Sequence, residues 1–169
     1  MIKPKEKAPE LQVKLVNNTL WKLSAQSSEN FTMIVFYRGL HCPVCKSYLE
    51  DLQTKLPKFK EAGVTVVAIS TDTESRAMET YEKWNIKDLP VGFELPIEEG
   101  RKWGLFVSKG IKDSEPKMFT EPALFLIKPN GTVYYEAIQS MPFARPPFND
   151  ILSGIHFAVK ADYPARGED

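Results

Sequence analysis

The chain of 169 residues contains two cysteines, Cys42 and Cys45, which lie three positions apart. Thiols at this spacing can form a reversible disulfide, supply two ligands to a metal ion or attach a haem. Haem attachment requires a histidine directly after the second cysteine. That position holds Lys46, so the haem alternative fails. Redox chemistry and metal binding remain as the two uses of the pair.

A metal site is the weaker of these two alternatives. A structural zinc ion takes four ligands, and beyond the two thiols the obvious soft candidates are His41 and His156. His41 directly precedes Cys42, which leaves it badly placed to point at the same ion. We therefore retain a metal-binding or redox-sensing module as the alternative and favour redox use.

The position of the pair in the chain supports redox use. The uncharged run Phe31–Tyr37 predicts a strand buried on both faces, and the apolar spacing from Val44 to Phe59 predicts an amphipathic helix. Pro43 suits the first turn of that helix, which puts Cys42 at or near the N-cap. Unpaired amides and the helix dipole stabilise a thiolate there, and such thiols have pKa values of about 3.5–7.5. Arg38 and His41 could add positive charge.

The remaining elements alternate between strands and helices. A second buried strand is predicted at 64–70, and Thr71 with Glu74 resembles a capping box that opens the next helix. We expect Pro57 to kink or end the first helix, and 105–121 to be an irregular connection. Further predicted elements are a hairpin at 11–23, a short extended piece at 93–95, a helical turn at 98–103, a hairpin at 123–137 around Pro129-Asn130-Gly131, and a last helix at 148–159.

Composition limits the partners. Twenty-two basic and twenty-two acidic residues give a formal net charge of zero, so we expect neither nucleic acid nor an anionic membrane as partner. Low net charge also permits a homodimer. No signal-like apolar run follows the N-terminus, which predicts a cytoplasmic protein. We expect a single domain over 1–169, with a core at about 8–160 and frayed termini.

The segment Phe36-Tyr-Arg-Gly-Leu-His-Cys-Pro-Val-Cys45 resembles the active-site stretch of the alkyl hydroperoxide reductase/thiol-specific antioxidant (AhpC/TSA) family, in its peroxiredoxin-like F-Y-R-G-x-x-C-P-x-C variant. Segments 64–72 and 123–131 are similar to strands of the same family. The resemblance implies a thioredoxin-like, peroxiredoxin-type α/β fold of three layers, with a mixed central sheet and helices on both faces. It also implies a thiol-dependent antioxidant oxidoreductase that cycles a Cys42–Cys45 dithiol and disulfide. Such an enzyme reduces peroxides or protein disulfides and needs an external thiol reductant, such as a thioredoxin system, but no metal or organic cofactor.

Departures from the family pattern leave two versions of the mechanism open. In the motif P-x-x-x-T-x-x-C the attacking cysteine falls on Cys45, with Arg38 in the proline position and Cys42 in the threonine position. Pro122 occupies the position of the family's later arginine and is similar to the cis-proline of thioredoxins, in which Cys42 would attack. The predicted site therefore comprises Cys42, Cys45, Pro122 and Arg38. For peroxide reduction Arg38 is the nearest substitute cation, and Arg145 is a remoter one.

Overall fold

The computed structural model describes residues 2–169, which form nine strands and four α-helices. The strands of the described residues are β1 (Gln12–Leu15), β2 (Leu20–Lys22), β3 (Phe31–Phe36), β4 (Val64–Ile69), β5 (Val91–Phe93), β6 (Val107–Lys109), β7 (Met118–Thr120), β8 (Ala123–Ile127) and β9 (Val133–Ile138). The α-helices are α1 (Pro43–Glu61), α2 (Glu74–Lys83), α3 (Ile97–Lys102) and α4 (Phe148–Ala161), and a 3-10 turn lies at Leu23–Ala25.

Seven strands form one mixed sheet in the order β2-β1-β5-β4-β3-β8-β9. The central strands β3, β4 and β5 run parallel to one another. On one side β8 pairs antiparallel with β3 and β9 antiparallel with β8; on the other, β1 pairs antiparallel with β5 and β2 antiparallel with β1. The parallel pairs require crossover connections, which α1 and α2 supply. Because β3 and β4 are parallel neighbours, the loops that follow them meet at the same edge of the sheet.

The core lies on both faces of this sheet. In β3 every residue is buried, and alternate side chains belong to different apolar clusters. Met33 and Val35 pack with α1 and α4, whereas Ile34 and Phe36 pack on the other face with Trp103, which directly follows α3. The uncharged composition of β3 follows from burial on both faces.

The structure departs from the sequence-based expectations at three places. Pro57 was expected to kink or end α1, and the second of these is wrong, because the helix continues to Glu61. The cap of α2 is Thr73, whose side chain accepts a hydrogen bond from the Arg76 amide, rather than Thr71. The connection at 105–121 is not wholly irregular, because β6 and β7 pair there as a separate two-stranded sheet.

The C-terminal segment, expected to be frayed, packs against the fold. The Tyr163 amide donates to the Ala158 carbonyl at 2.9 Å, and the Tyr134 hydroxyl donates to the Tyr163 carbonyl at 3.0 Å. Ala165 is buried, and Glu168 pairs with Lys5. The tail therefore forms a wall beside α4. Within residues 2–169, no helix is both long enough and apolar enough to span a bilayer.

Candidate active site around Cys42 and Cys45

Cys42 is the N-cap residue of α1. Its backbone is extended, with φ −105° and ψ 101°, and Pro43 occupies the first turn of the helix. The Cys45 amide donates a hydrogen bond to Cys42 Sγ at 3.2 Å. A sulfur that accepts from a helix N-terminal amide is stabilised as the anion, both by the hydrogen bond and by the helix dipole. The predicted N-cap position is thereby confirmed.

The two thiols have opposite acidities. Both are reduced and buried, with Cys42 1% and Cys45 0% exposed. The hydrogen bond from the Cys45 thiol, supported by the Cys45 amide, Arg145 and Arg38, outweighs burial and lowers the pKa of Cys42 to about 6. Burial, together with that same hydrogen bond, raises the pKa of Cys45 well above its ordinary value. At neutral pH the pair therefore holds a Cys42 thiolate and a Cys45 thiol.

Arg145 is the cation that contacts the sulfurs. Its Nη2 lies 3.0 Å from Cys45 Sγ and 3.8 Å from Cys42 Sγ. Arg145 belongs to residues 139–147, the segment between β9 and α4 that we call the strap. The strap is tied back on itself, since Arg145 Nε donates to the Pro142 carbonyl at 2.8 Å.

Tyr48 holds the strap in place from α1. Its hydroxyl donates to the Pro146 carbonyl at 2.6 Å, and the Arg145 guanidinium lies over its ring at 5.1 Å from the centroid. The Tyr48 ring also stacks with Phe148 at 4.2 Å between centroids. A guanidinium over an aromatic face gains a cation–π attraction that strengthens as water is excluded. The guanidinium is therefore fixed near the sulfurs by contacts on two elements.

Arg38 lies in the loop before Cys42, but its charge is shared with two carboxylates. Its Nε lies 3.2 Å from Glu121 Oε2, and its Nη2 lies 3.8 Å from Glu115 Oε1. The guanidinium also covers the Phe119 ring at 4.7 Å. Glu121 is 4% exposed, and its Oε1 accepts a hydrogen bond from the Ser108 hydroxyl at 2.6 Å. Arg38 thus connects the cysteine loop to the β6–β7 hairpin, while Arg145 makes the direct sulfur contacts.

Asp72, which follows β4, fixes the backbone of the cysteine loop. It is 1% exposed, accepts from the Leu40 amide at 2.7 Å and pairs with Arg76 Nε at 2.8 Å. Gly39 has φ +130°, and a Cβ there would lie 2.6 Å from Asp72 Oδ2. The loop therefore needs glycine at this position for both backbone conformation and space.

His41 faces the hairpin side of the loop. Its ring packs on Phe119 at 4.7 Å between centroids, and Nδ1 lies 3.4 Å from Arg76 Nη2. Burial, with the nearby Arg38, lowers its pKa, so it adds no full charge at neutral pH. The other predicted soft ligand, His156, is exposed on α4. Across residues 2–169 there is no group of three or more side chains from His, Cys, Asp and Glu that could hold a metal ion.

Pro122 lies beside the strap. It lines a narrow cleft together with Tyr48, Arg145 and Pro146. Its carbonyl accepts from the Gln139 amide at 2.9 Å, which ties it to the first residue of the strap. Residues 2–169 contain no cis peptide bond, so the Glu121–Pro122 bond is trans and the likeness to a cis-proline does not extend to its geometry.

Sequence reasoning gave too little weight to Arg145 and overlooked Tyr48 and Asp72. Asp72 could have been found, because it follows a strand parallel to the one before Cys42, and loops at the carboxyl ends of such strands meet. Arg145 is 100 residues from Cys45, and its spacing in the sequence carries no sign of the contact.

Comparison with known proteins agrees with this architecture. Residues 4–136 match the model of the AhpC/TSA family. A peroxiredoxin from Pyrococcus furiosus is 29% identical over 138 residues, which cover 78% of this chain and 62% of that relative. The thiol-disulfide oxidoreductase ResA from Oceanobacillus iheyensis is 24% identical over 128 residues, covering 75% of this chain and 60% of that one.

The fold is shared with solved peroxiredoxins. A peroxiredoxin 6 variant from Arenicola marina superposes with a TM-score of 0.81 at 19% identity, covering 96% of this chain and 76% of its own. The expected peroxiredoxin-type α/β fold is confirmed. The chain spans about three fifths of the length of the two curated relatives.

Proposed function

Because the chain belongs to the AhpC/TSA family, we propose that it is a thiol-dependent oxidoreductase that reduces peroxides through a Cys42–Cys45 dithiol–disulfide cycle. Cys42 is the attacking thiol and Cys45 the resolving thiol. The observation that carries this assignment is the position of Cys42 Sγ at the N-terminus of α1, where it accepts a hydrogen bond from the Cys45 amide at 3.2 Å and a thiolate is stabilised. The hydrogen bond from the Cys45 thiol also lowers the pKa of Cys42, whereas burial raises that of Cys45. The thiolate is the nucleophile in such chemistry.

The cycle balances without any bound cofactor. The Cys42 thiolate attacks the O–O bond of ROOH; the distal oxygen stays on sulfur as Cys42–SOH, and the other leaves as ROH after taking up one proton. Cys45 then attacks the sulfenic sulfur, and its proton departs with the hydroxyl as water. An external dithiol, such as a thioredoxin-type reductant, restores the pair by thiol–disulfide exchange.

Peroxide is favoured over a protein disulfide because of burial and charge. The cysteines are at most 1% exposed, which suits a substrate small enough to enter beside the strap. The positive charge of Arg145 lies 3.8 Å from the attacking sulfur, where negative charge develops on the peroxide oxygens. Arg38 and Pro122 would then position the loop and the strap rather than touch the substrate.

Cysteine variants test the assignment directly. Under one equivalent of peroxide, we expect Cys45→Ser to accumulate sulfenic acid on Cys42, measured by dimedone labelling and mass spectrometry. Cys42→Ser should label more slowly on Cys45, because burial of that side chain still raises its pKa after the Cys42 charge is removed. Fast labelling of Cys45 in Cys42→Ser, with an unreactive Cys45→Ser, would reverse the two roles.

A second experiment separates peroxide reduction from disulfide exchange. Cys45→Ser is incubated with a disulfide-bonded protein substrate and, separately, with hydrogen peroxide, and both second-order rates are measured. We expect the peroxide reaction to be faster. Rapid formation of a mixed disulfide on Cys42 with no peroxide consumption would instead assign the site to thiol–disulfide exchange.

A further inference from the structure

An apolar groove, which neither cysteine lines, lies between β9, α4 and the C-terminal tail. Its volume is about 570 Å³, within the range of small-molecule sites. Its lining is mostly aliphatic and aromatic and includes Leu126, Tyr135, Ile151, Ile155, Phe157 and Tyr163. Phe157 is 60% exposed and Tyr163 is 43% exposed, so large apolar side chains stand at its rim without a covering element in residues 2–169.

The groove is built by anchored walls. The tail is fixed to α4 through the Tyr163 amide and to β9 through the Tyr134 hydroxyl. Ala165, a residue of the tail, is 6% exposed and lines the groove. On the α4 side, Gly154 lines the groove, and a Cβ built on it would have no heavy atom within 4 Å. The helix therefore leaves open space at this point.

Charge is distributed unevenly along the groove. Arg166 lines it on the tail, and among residues 2–169 no carboxylate lies within ion-pair distance of its guanidinium. The neighbouring carboxylate, Glu168, pairs with Lys5 instead, although the Arg166 charge helps to lower its pKa. Asp150, its acidic lining residue, belongs to the first turn of α4, whereas the tail is tied to Ala158 near the last turn. Eight helical residues separate these positions by about 12 Å. An anionic group is therefore favoured at the Arg166 end and disfavoured at the Asp150 end.

We propose that this groove binds a single-chain aliphatic monocarboxylate, with its carboxylate at Arg166 and its chain along α4 toward Pro146 and Pro147. The apolar lining accounts for the chain, and the unpaired cation for the head group. The end of the chain then lies against the strap, because Pro146 and Pro147 line the groove.

Occupancy of the groove is coupled to the thiols through the strap. Pro146 lines the groove, and its carbonyl accepts a hydrogen bond from the Tyr48 hydroxyl. It directly follows Arg145, which contacts both sulfurs. Oxidation to the disulfide removes the thiolate that attracts Arg145. Pro146 and Pro147, which line the end of the groove next to Arg145, then lose one of the contacts that hold them in place. The carboxylate should therefore bind the reduced protein more tightly, by about fivefold or more. This coupling rests on the proposed Cys42–Cys45 couple, whereas binding in the groove does not.

Calorimetric titration with dodecanoate below its micellar concentration tests the site. Gly154→Leu fills the groove, and Gly154→Ala is its matched control; both replace a helical glycine and should retain the fold. We expect Gly154→Leu to weaken binding at least about tenfold, Gly154→Ala to leave it near wild type, and Arg166→Gln to weaken dodecanoate selectively. Dodecyltrimethylammonium, which has the same chain and a cationic head, should bind more weakly than dodecanoate.

Two results would overturn the proposed groove site. Equal dodecanoate affinity in wild type and Gly154→Leu would overturn the site. A dimer in sedimentation that Gly154→Leu converts to monomer, without dodecanoate binding, would show that a second copy occupies the groove and would also overturn it.

The coupling is tested by equilibrating the protein with reduced and oxidised dithiothreitol, with and without saturating dodecanoate. Dodecanoate should shift the equilibrium toward the dithiol by the same factor by which it prefers the reduced protein. Equal binding to both states refutes the coupling and leaves the groove site standing. Failure to form a Cys42–Cys45 disulfide would refute the proposed function, and the wild-type and Gly154 titrations would still decide the site.

Discussion

Replacing Arg145 by glutamine should raise the pKa of Cys42. The substitution removes the positive charge and leaves a shorter polar side chain beside Tyr48. Since a nearby cation favours the thiolate, its loss makes the thiol form more stable. The reactive fraction of Cys42 should therefore fall at every pH below the new midpoint.

The size of this effect follows from the geometry. At the 3.8 Å between Arg145 Nη2 and Cys42 Sγ, two unit charges attract by about 1 kcal/mol in a water-like medium and about 4 kcal/mol at an effective dielectric of about 20. The Cys45 hydrogen bond is the larger cause of the lowered Cys42 pKa, so the lower part of that range applies. We expect a rise of about one pKa unit, equivalent to about 1.4 kcal/mol.

The assay is the rate of alkylation by iodoacetamide as a function of pH, with the labelled cysteine identified by mass spectrometry. Wild type should show a Cys42 midpoint at about 6. In Arg145→Gln the thiolate fraction at pH 6 should fall from about half to about a tenth. Arg145→Lys keeps the positive charge but lacks the planar guanidinium, so its Cys42 alkylation midpoint should lie between those of wild type and Arg145→Gln.

Arg38→Gln provides the comparison that isolates the contact. Arg38 is paired with Glu121 and Glu115, and its effect on Cys42 is the smaller of the two arginines. Its alkylation midpoint should move less than that of Arg145→Gln. An unchanged midpoint in a folded Arg145→Gln protein, or a larger shift in Arg38→Gln, would refute the assignment of Arg145 as the cation of the site.

Three further substitutions have defined outcomes. Cys45→Ala should raise the Cys42 alkylation midpoint more than Arg145→Gln does, because it removes the hydrogen bond that lowers the pKa most; a smaller shift would contradict this ordering. Gly39→Ala should cost about 1–3 kcal/mol in urea unfolding, since φ +130° and the Asp72 carboxylate leave no room for a Cβ; unchanged stability would show that the loop relaxes freely. Glu121→Gln should lower the free energy of unfolding by about 1–3 kcal/mol, because it removes the negative charge that pairs with the largely buried Arg38. An unaltered unfolding midpoint would count against that pairing.

The local part of the site could be predicted from sequence. An apolar strand, a proline directly after Cys42 and an amphipathic pattern are short-range signals, and they place the sulfur at a helix N-terminus without reference to the rest of the chain. The same reasoning expected Pro57 to kink or end α1, yet the helix continues to Glu61. Tertiary packing of Leu52 and Phe59, both fully buried, holds the helix across the missing hydrogen bond.

The long-range part could not be predicted. Arg145 reaches the sulfurs because β9 returns beside β8 and the strap then crosses toward α1, where Tyr48 holds it. No periodicity in the sequence encodes that crossing. Arg38 was the nearer candidate by sequence, but Glu121 and Glu115 neutralise it from the hairpin at 105–121, a segment expected to have no regular structure.

The sequence left open which cysteine attacks, and the proposed cycle gives each of them a step. Before oxidation, the Cys45 thiol stabilises the Cys42 thiolate by hydrogen bonding, which favours Cys42 as the proposed nucleophile. Once Cys42 carries an oxygen, that thiolate charge is gone, and one cause of the raised Cys45 pKa disappears with it. Arg145 Nη2, 3.0 Å from Cys45 Sγ, then favours ionisation of the second thiol. We therefore expect Arg145→Gln to slow disulfide closure as well as peroxide attack, measured as separate phases in stopped-flow; an effect on the first phase alone would limit Arg145 to Cys42.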